Sequence, residues 1–403
     1  MAQDENGQVS LRLQAAVYIC GIFSSGTSNI VWVAVPLWLI KLDASPMMIG
    51  ISLGAYTFLP LLLSIPGGAL IDRLGARRVI VTFGVLVVCL TPLYPLLPWI
   101  GALIVLQMLV GLSVSMGWIS AQTLVGQRMG GNPIYAGRLA FVVRLGTLVG
   151  PPAVGALWDL FGEWGAFLFM SLWTSGVLVA VAILPKSDDE RRRAPEKIRM
   201  GDFLPRVQSY RDAFALLSIP SILLVVMISV LRQSGQGIQS SFYVVYLENI
   251  GLTGTAIGTL LSAFLLVGAF GALTTGPLIR IFNRFWLLMA TVGLSIVFIA
   301  ITPLLGTFFL LLVAIVARGA VLGTVQPLML TIIAQAAGAG DQGKAVGLRA
   351  TANRLAMTVI PVVMGAVVEV VGIENAFLVI GAVLLALLLG LAVYVKRALA
   401  LGG

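Results

Sequence analysis

The chain has 403 residues, 59% of them apolar and only 10% charged, with 25 Lys and Arg against 16 Asp and Glu and a net charge of +9. Its mean hydropathy is +1.04, whereas a soluble domain carries about 25% charged residues, so a water-soluble globule is excluded. The basic balance does not point to nucleic acid, because the charges fall in short loops between apolar runs, which is the pattern of membrane topology.

The apolar runs are about 20 to 30 residues long, enough to cross a hydrocarbon core of roughly 30 Å at 1.5 Å per residue. Helices are expected because lipid cannot satisfy open backbone groups, and the alternation of a membrane barrel is absent. The N-terminus, with Asp4, Glu5 and then Arg12, lacks the basic start, short apolar run and cleavage site of a signal peptide. The first helix is therefore expected to remain in the mature protein. In chain order the expected helices cover 13–40, 47–71, 78–98, 100–127, 137–158 and 163–185, then 213–247, 255–281, 285–304, 306–335, 345–369 and 374–396. The fold class is thus an all-α membrane protein of twelve transmembrane helices, with a half at 1–185, a polar linker at 186–212 and a half at 213–403. The linker reads as a solvated, topology-setting tether; binding of anionic lipid by its basic residues is the weaker alternative. Cys20 and Cys89 lie inside apolar runs, so no disulfide framework is expected.

Lys and Arg in the loops set the orientation. One set of helix ends carries Arg73, Arg77, Arg78, Arg128, Arg138, the basic residues of the linker, Arg280, Arg284, Lys344, Lys396 and Arg397. The opposite set has only Lys41 among Asp43, Asp159, Glu163, Glu248, Glu369 and Glu374. Both termini are expected to be cytoplasmic and the protein to lie in the inner (plasma) membrane.

An internal repeat ties the two halves together. Residues 136–168 align without gaps on 346–378, so that Gly137 meets Gly347, Arg144 meets Arg354, Pro151 meets Pro361, Gly155 meets Gly365 and Gly162 meets Gly372. Chance similarity of apolar text matches Leu and Val; it rarely aligns Arg, Pro and several Gly together. Two six-helix halves that both start inside are parallel repeats, related by a pseudo-twofold axis along the membrane normal.

Between the second and third helices lies Gly68, then Asp72-Arg73, Gly75 and the pair Arg77-Arg78. Gly75 permits a turn at positive φ, and Asp72 can meet cations or a helix N-terminus. This spacing resembles the signature loop of the major facilitator superfamily. The matching loop, Gly276 to Arg284, keeps the Gly but has Arg280 in place of the Asp, so a symmetric second latch is not expected. The fifth helix carries Gly137, Gly146, Gly150-Pro151 and Gly155 and is similar to the Gly/Pro motif of the superfamily's exchangers, with Val154 in place of one Gly. Small residues allow close packing in lipid and Pro151 bends the helix, so Gly150 and Pro151 read either as a hinge or as an antiporter mark.

The resemblance covers the whole chain and implies alternating access around a central cavity lined in part by the seventh and tenth helices. Arginines inside apolar runs are the informative anomaly, each costing roughly 2.5–3.5 kcal/mol at the bilayer centre. Arg144 and Arg354 are shallow, roughly 10 Å from the cytoplasmic ends. With Asp72, Arg73, Arg77 and Arg349 they are expected to act in gating, Arg349 or Arg354 pairing with Asp72. Arg232 and Arg318 lie roughly 18 Å in and are expected to contact substrate; capping of backbone carbonyls is the alternative. Gln236, Gln239 and Tyr243 beside Arg232, together with Gln326, Asn29, Trp118 and Gln122, are the candidates to complete that site. A Gly-interrupted polar run such as 232–239 marks a binding site in an otherwise apolar helix.

No P-loop, metal-ligand spacing or nucleophile triad is present. No His is present to ligate a metal or relay a proton. The expectations are no enzyme, no cofactor, no metal and no nucleic acid, and a monomer whose partners are the bilayer and a small-molecule substrate. The resemblance with the deep arginines implies a secondary carrier for a small organic anion. The alternatives are a proton-coupled exporter of drugs or amphiphiles, weakened by the lack of an acidic residue in 13–40, and a lipid flippase. Accessibility labelling of single cysteines should place Lys186–Asp212 and both termini on the cytoplasmic side, and Asp43, Glu163 and Glu248 outside. An external linker would overturn the reading of every loop.

Overall fold

The computed structural model describes residues 9–130, 133–185, 215–336 and 342–401. The linker at 186–212 and the side chains of Asp72 and Arg73 lie outside the described residues. Before the linker run α1 (Leu11–Lys41), α2 (Pro46–Leu74), α3 (Ala76–Leu90), the single turn α4 (Leu93–Leu96), α5 (Ile100–Arg128) and α6 (Pro133–Ile183). After it run α7 (Pro220–Gln239), α8 (Phe242–Asn249), α9 (Gly254–Leu273), α10 (Thr275–Ile281), α11 (Arg284–Ala300), α12 (Phe308–Ala336), α13 (Gln342–Val371) and α14 (Ile373–Leu401). Nine helical stretches among the described residues are long and apolar enough to cross a membrane. One of them, Gly137–Ile183, makes two passes because Gly162 breaks α6 at φ 64°, and α3 with α4 and the shorter α11 supply two more, for twelve.

The departures from the expected spans have local causes. The expected helix 78–98 splits after Leu90, where Pro92, Pro95 and Pro98 cannot donate backbone hydrogen bonds. The expected helix 213–247 starts only at Pro220, after a 3-10 turn at Leu216–Ser218, and breaks again between Gln239 and Phe242. There the Ser241 hydroxyl donates to the Gly237 carbonyl (2.6 Å) and that of Ser240 to the same oxygen (3.2 Å), a local competition with the helix ladder. Helix 255–281 divides at Thr274, just ahead of Gly276-Pro277. Gly75 adopts φ 85° between α2 and α3, and Gly372 adopts φ 81° between α13 and α14, the repeat partner of the Gly162 break.

The chain folds into two compact units: Met1–Leu42, Ala55–Pro205 and Thr253–Gly258 form one, and Asp43–Gly54, Arg206–Leu252 and Thr259–Gly403 the other. The units therefore exchange the starts of α2 and α9 relative to the sequence halves. Glycines explain the exchange. In the first unit a Cβ on Gly258 would collide with the Pro151 carbonyl oxygen, and one on Gly155 with that of Gly254. In the second, a Cβ on Gly50 would collide with the Pro361 carbonyl, and one on Gly365 would sit 2.5 Å from that of Pro46. Backbones this close gain dispersion contacts that lipid tails do not match.

The first crossing also has a polar clasp. The Asp159 carboxylate accepts from the backbone N–H of Gly254 (2.7 Å) and Thr255 (2.8 Å) and from the Thr255 hydroxyl (2.6 Å). It thus caps the start of α9, where orphan donors and the helix dipole favour an anion. Glu369, its partner in the repeat, is exposed, and α2 instead starts with Pro46 after Ser45, whose hydroxyl accepts from Met48 N (3.4 Å). Elsewhere in the first unit Lys41 donates to Glu163 (2.5 Å), and that hydrogen bond holds the Glu163 carboxyl below its ordinary value. A carboxyl with a lowered pKa contributes stability at neutral pH that is lost as pH falls through that lowered value. Asp159→Ala should lower thermal stability by about 1 kcal/mol, the usual cost of a lost N-cap. An unchanged melting temperature would show that the clasp adds nothing to the crossing.

Candidate functional site

The second unit holds the polar centre. Its axis is α7, where Ser229, Arg232, Gln236 and Gln239 recur at helical spacing along one face. α7 packs against α11, α12 and α13, and each of these brings one or more polar side chains to it.

Arg318 of α12 is only 1% exposed. Its Nε donates to the backbone carbonyl and to the hydroxyl of Ser295 on α11, both at 3.2 Å, and its Nη1 donates to Oε1 of Gln239 on α7. The guanidinium also lies over the Phe264 ring of α9, 5.2 Å from its centroid, a favourable cation–π placement. Small residues make this possible. A Cβ on Gly319 would sit 2.5 Å from the Phe264 carbonyl oxygen, and one on Gly271 would collide with that of Ala320, so α9 and α12 touch backbone to backbone. Gly235 on α7 faces Nη2, which would lie 3.4 Å from a Cβ there. That Nη2 is buried without a hydrogen-bond partner among the described residues.

Arg232 is half-buried; its Nη1 donates to Gln233 (3.1 Å) and its Nε is buried without a partner among the described residues. Arg349 of α13 is 6% exposed, donates from Nη1 to Oε1 of Gln326 (3.2 Å), touches the Met329 sulfur (3.9 Å), and likewise leaves Nε unpartnered. Arg232 stands within Coulombic range of both Arg349 and Arg318. On the same face Ser229 donates to Asn353 (2.5 Å). Tyr243 of α8 is fully buried, within Coulombic range of Arg318, with its hydroxyl unpartnered among the described residues. Gln236 is half-buried between the levels of Arg232 and Gln239.

The structure brings Arg232, Arg318, Gln239, Gln326, Tyr243 and Arg349 into one unit. Arg349, a gating candidate from its sequence position, turns its side chain to Gln326 and Met329. Ser295 and Phe264 were missed, since a lone Ser and a lone Phe in apolar helices carry no signal of their own.

The other candidates stand elsewhere. In the first unit Asn29 donates back to the Ser25 carbonyl of its own helix (3.1 Å), Trp118 packs against the apolar core around Leu13, Cys20 and Leu124, and Gln122 is exposed. Arg77 donates to the Leu184 carbonyl (2.6 Å), just past the end of α6. Gly150 presses on Ile30 of α1, where a Cβ would lie 3.1 Å away, and Pro151 belongs to the crossing with Gly258. Arg144 is exposed and Arg354 half-buried. The expected partnership with Asp72 lies outside the described residues.

These features define a polytopic helical membrane protein with a positively charged, internally buried polar centre. The family model described as Major Facilitator Superfamily matches residues 17–233 and again 224–400. The chain belongs to that superfamily, and it is a multi-pass membrane transporter, as members of the family are transporters and not enzymes. A comparison with curated protein sequences finds no match. Among solved structures it is similar to the nucleoside transporter NupG, with a TM-score of 0.73 at 13% identity, covering 95% of this chain and 99% of that one. It is similar also to a bacterial homologue of the human lysosomal transporter Spinster, inward-facing and unoccupied, with a TM-score of 0.71 at 15% identity over 95% and 97% of the two chains. A POT family transporter in complex with 5-aminolevulinic acid gives a TM-score of 0.70 at 14% identity, covering 96% of each chain. At these identities the likeness is one of fold.

The polar centre predicts a stability effect of its own. Gln239→Leu removes the acceptor that holds Nη1 of Arg318 and leaves more of a buried cation unsatisfied, a loss of about 1–3 kcal/mol. A clear drop in melting temperature of the purified protein is expected. No drop would mean that Gln239 does not hold Arg318.

Proposed function

We propose that the protein is a secondary carrier that moves a small organic anion across the inner membrane by alternating access, with both termini cytoplasmic and the single chain as the working unit. The observation that carries this reading is Arg318. A guanidinium offers five N–H donors, and a buried donor without a partner is costly; Arg318 leaves Nη2 buried and unpartnered among the described residues. The groups that hold its other nitrogens, Ser295 and Gln239, are neutral. They orient the guanidinium and leave its charge uncompensated.

An anionic group beside such a cation gains far more than in water: two unit charges 4 Å apart attract by about 4 kcal/mol at an effective dielectric of 20, against about 1 kcal/mol in bulk water. The planar fork of a guanidinium also matches two oxygens of a carboxylate, sulfonate or phosphate, which lysine does not. Arg232 supplies a second charge, and the half-buried Gln236 a neutral donor and acceptor beside it. The two halves of the sequence, separated by the polar stretch at 186–212, serve as the moving bodies, with Asp72, Arg73, Arg354 and the Gly150-Pro151 segment in gating.

Arg232→Gln and Arg318→Gln should each weaken binding of the transported anion by about ten- to a hundredfold, the loss of one charged hydrogen bond, and Arg→Lys by less. Affinity measured on purified protein alongside thermal melting tests this. Unaltered anion affinity in both folded variants would defeat the anion reading, and misfolding of both would assign these arginines to holding the helices together.

A further inference from the structure

Arg349 carries the reading further. Its shallow position near the start of α13 suits a surface gate, yet its side chain is nearly as buried as that of Arg318 and reaches into the same unit. Three guanidiniums then share one polar centre, with Arg232 in Coulombic range of the other two. Each leaves one buried nitrogen without a partner among the described residues: Nε of Arg232, Nη2 of Arg318 and Nε of Arg349. Among the described residues the one ion pair is Lys41 with Glu163, far along the sequence from all three. The acceptors around the arginines (Gln233, Gln239, Gln326 and Ser295) are neutral amides, a hydroxyl and a carbonyl. The arginines elsewhere contrast with this: Arg77 and Arg128 spend their Nη1 groups on the carbonyls of Leu184 and Pro185 at the end of α6.

The three charges fall on two levels, Arg318 on one and Arg232 with Arg349 on the other. On α12, Gln326, which receives Arg349, lies eight residues past Arg318, or about 12 Å along the axis. On α7, Gln239, which receives Arg318, lies seven residues past Arg232, or about 10 Å. A monocarboxylate carries one negative charge and so offsets one guanidinium, leaving the rest of the charge buried and unpaired. We propose that this centre takes a ligand with at least two negative charges, a dicarboxylate or a phosphate monoester, and that Arg349 binds it together with Arg232 and Arg318. The proposal rests on the anion-carrier reading above and sharpens it to a charge class.

The test is binding to the purified full-length chain at constant ionic strength, with a charge series of butyrate, succinate and tricarballylate, and ethyl phosphate as the phosphoryl arm. Binding at least about tenfold tighter for succinate or ethyl phosphate than for butyrate is expected, the worth of one more charged hydrogen bond. Arg349→Gln should remove that preference, weakening the dianion by about tenfold and butyrate by less than about threefold. Arg349→Lys, which keeps the charge without the fork, should retain part of it. Equal binding of butyrate and the dianions, or an unchanged preference in Arg349→Gln, overturns the charge class and leaves a monoanion carrier standing. Absence of binding by every anion overturns both readings. Because the charge series is read on the unaltered protein, poor folding of a variant does not rescue the proposal. Succinate against ethyl phosphate separates the carboxylate from the phosphoryl source.

Discussion

Lipid offers a side chain or a peptide group no hydrogen bond, and the architecture of this protein follows from that shortage. Backbone groups close on themselves in helices, and most charged groups gather at helix ends. Where a cation stays inside, as Arg318 does, the protein itself must supply what water would have. Ser295, Gln239 and the face of Phe264 each do part of this. None of them neutralises the charge. A carboxylate neighbour would have made Arg318 a structural ion pair; neutral acceptors leave it a cation held in position, which is the physical condition for recognising an anion.

Holding it there depends on packing rather than on polarity. Without a hydrophobic drive between helices in lipid, close approach is won by small residues. Gly319 and Gly271 let α9 and α12 meet at the backbone, which carries the Phe264 ring to the guanidinium, and Gly235 leaves room on α7 for Nη2. The same device recurs at both exchanged crossings, at Gly258 and Gly155 in the first unit and at Gly50 and Gly365 in the second. The internal repeat thus preserves close helix contacts on both sides. It does not preserve their chemistry: Asp159 caps α9 while its counterpart Glu369 is exposed, and Arg349 stands where the first half has Leu139, a core residue. Buried arginines gather in the second unit, and the apolar core around Leu139 and Leu124 lies in the first.

Much of the architecture was legible in the sequence because its causes are local. Apolar run length sets where helices cross, and the position of a residue within a run sets its depth at 1.5 Å per residue. Arg232 and Arg318 could be placed deep in their helices on that basis alone. The Asp72 loop, the Gly and Pro pattern and the repeat identified the superfamily before any contact was known. Helix breaks were less legible. The interruption at Ser240 and Ser241 arises from hydroxyls donating to Gly237, a choice between two hydrogen-bonding schemes that hydropathy does not register.

By itself, then, the sequence determined the membrane class, the number of passes and the family, from apolar runs and motifs read along the chain. The tertiary structure alone decided which side chains meet. Rotation of a helix about its axis is set by its neighbours, so only the packed unit shows Arg349 turned toward Gln326, Arg318 lodged between Ser295, Gln239 and Phe264, and Arg77 spent on the end of α6. A residue seven positions past the start of its helix, as Arg349 is in α13, is shallow by count, but an arginine side chain is long and flexible. Whether it snorkels to water or reaches inward is settled by what the next helix offers it.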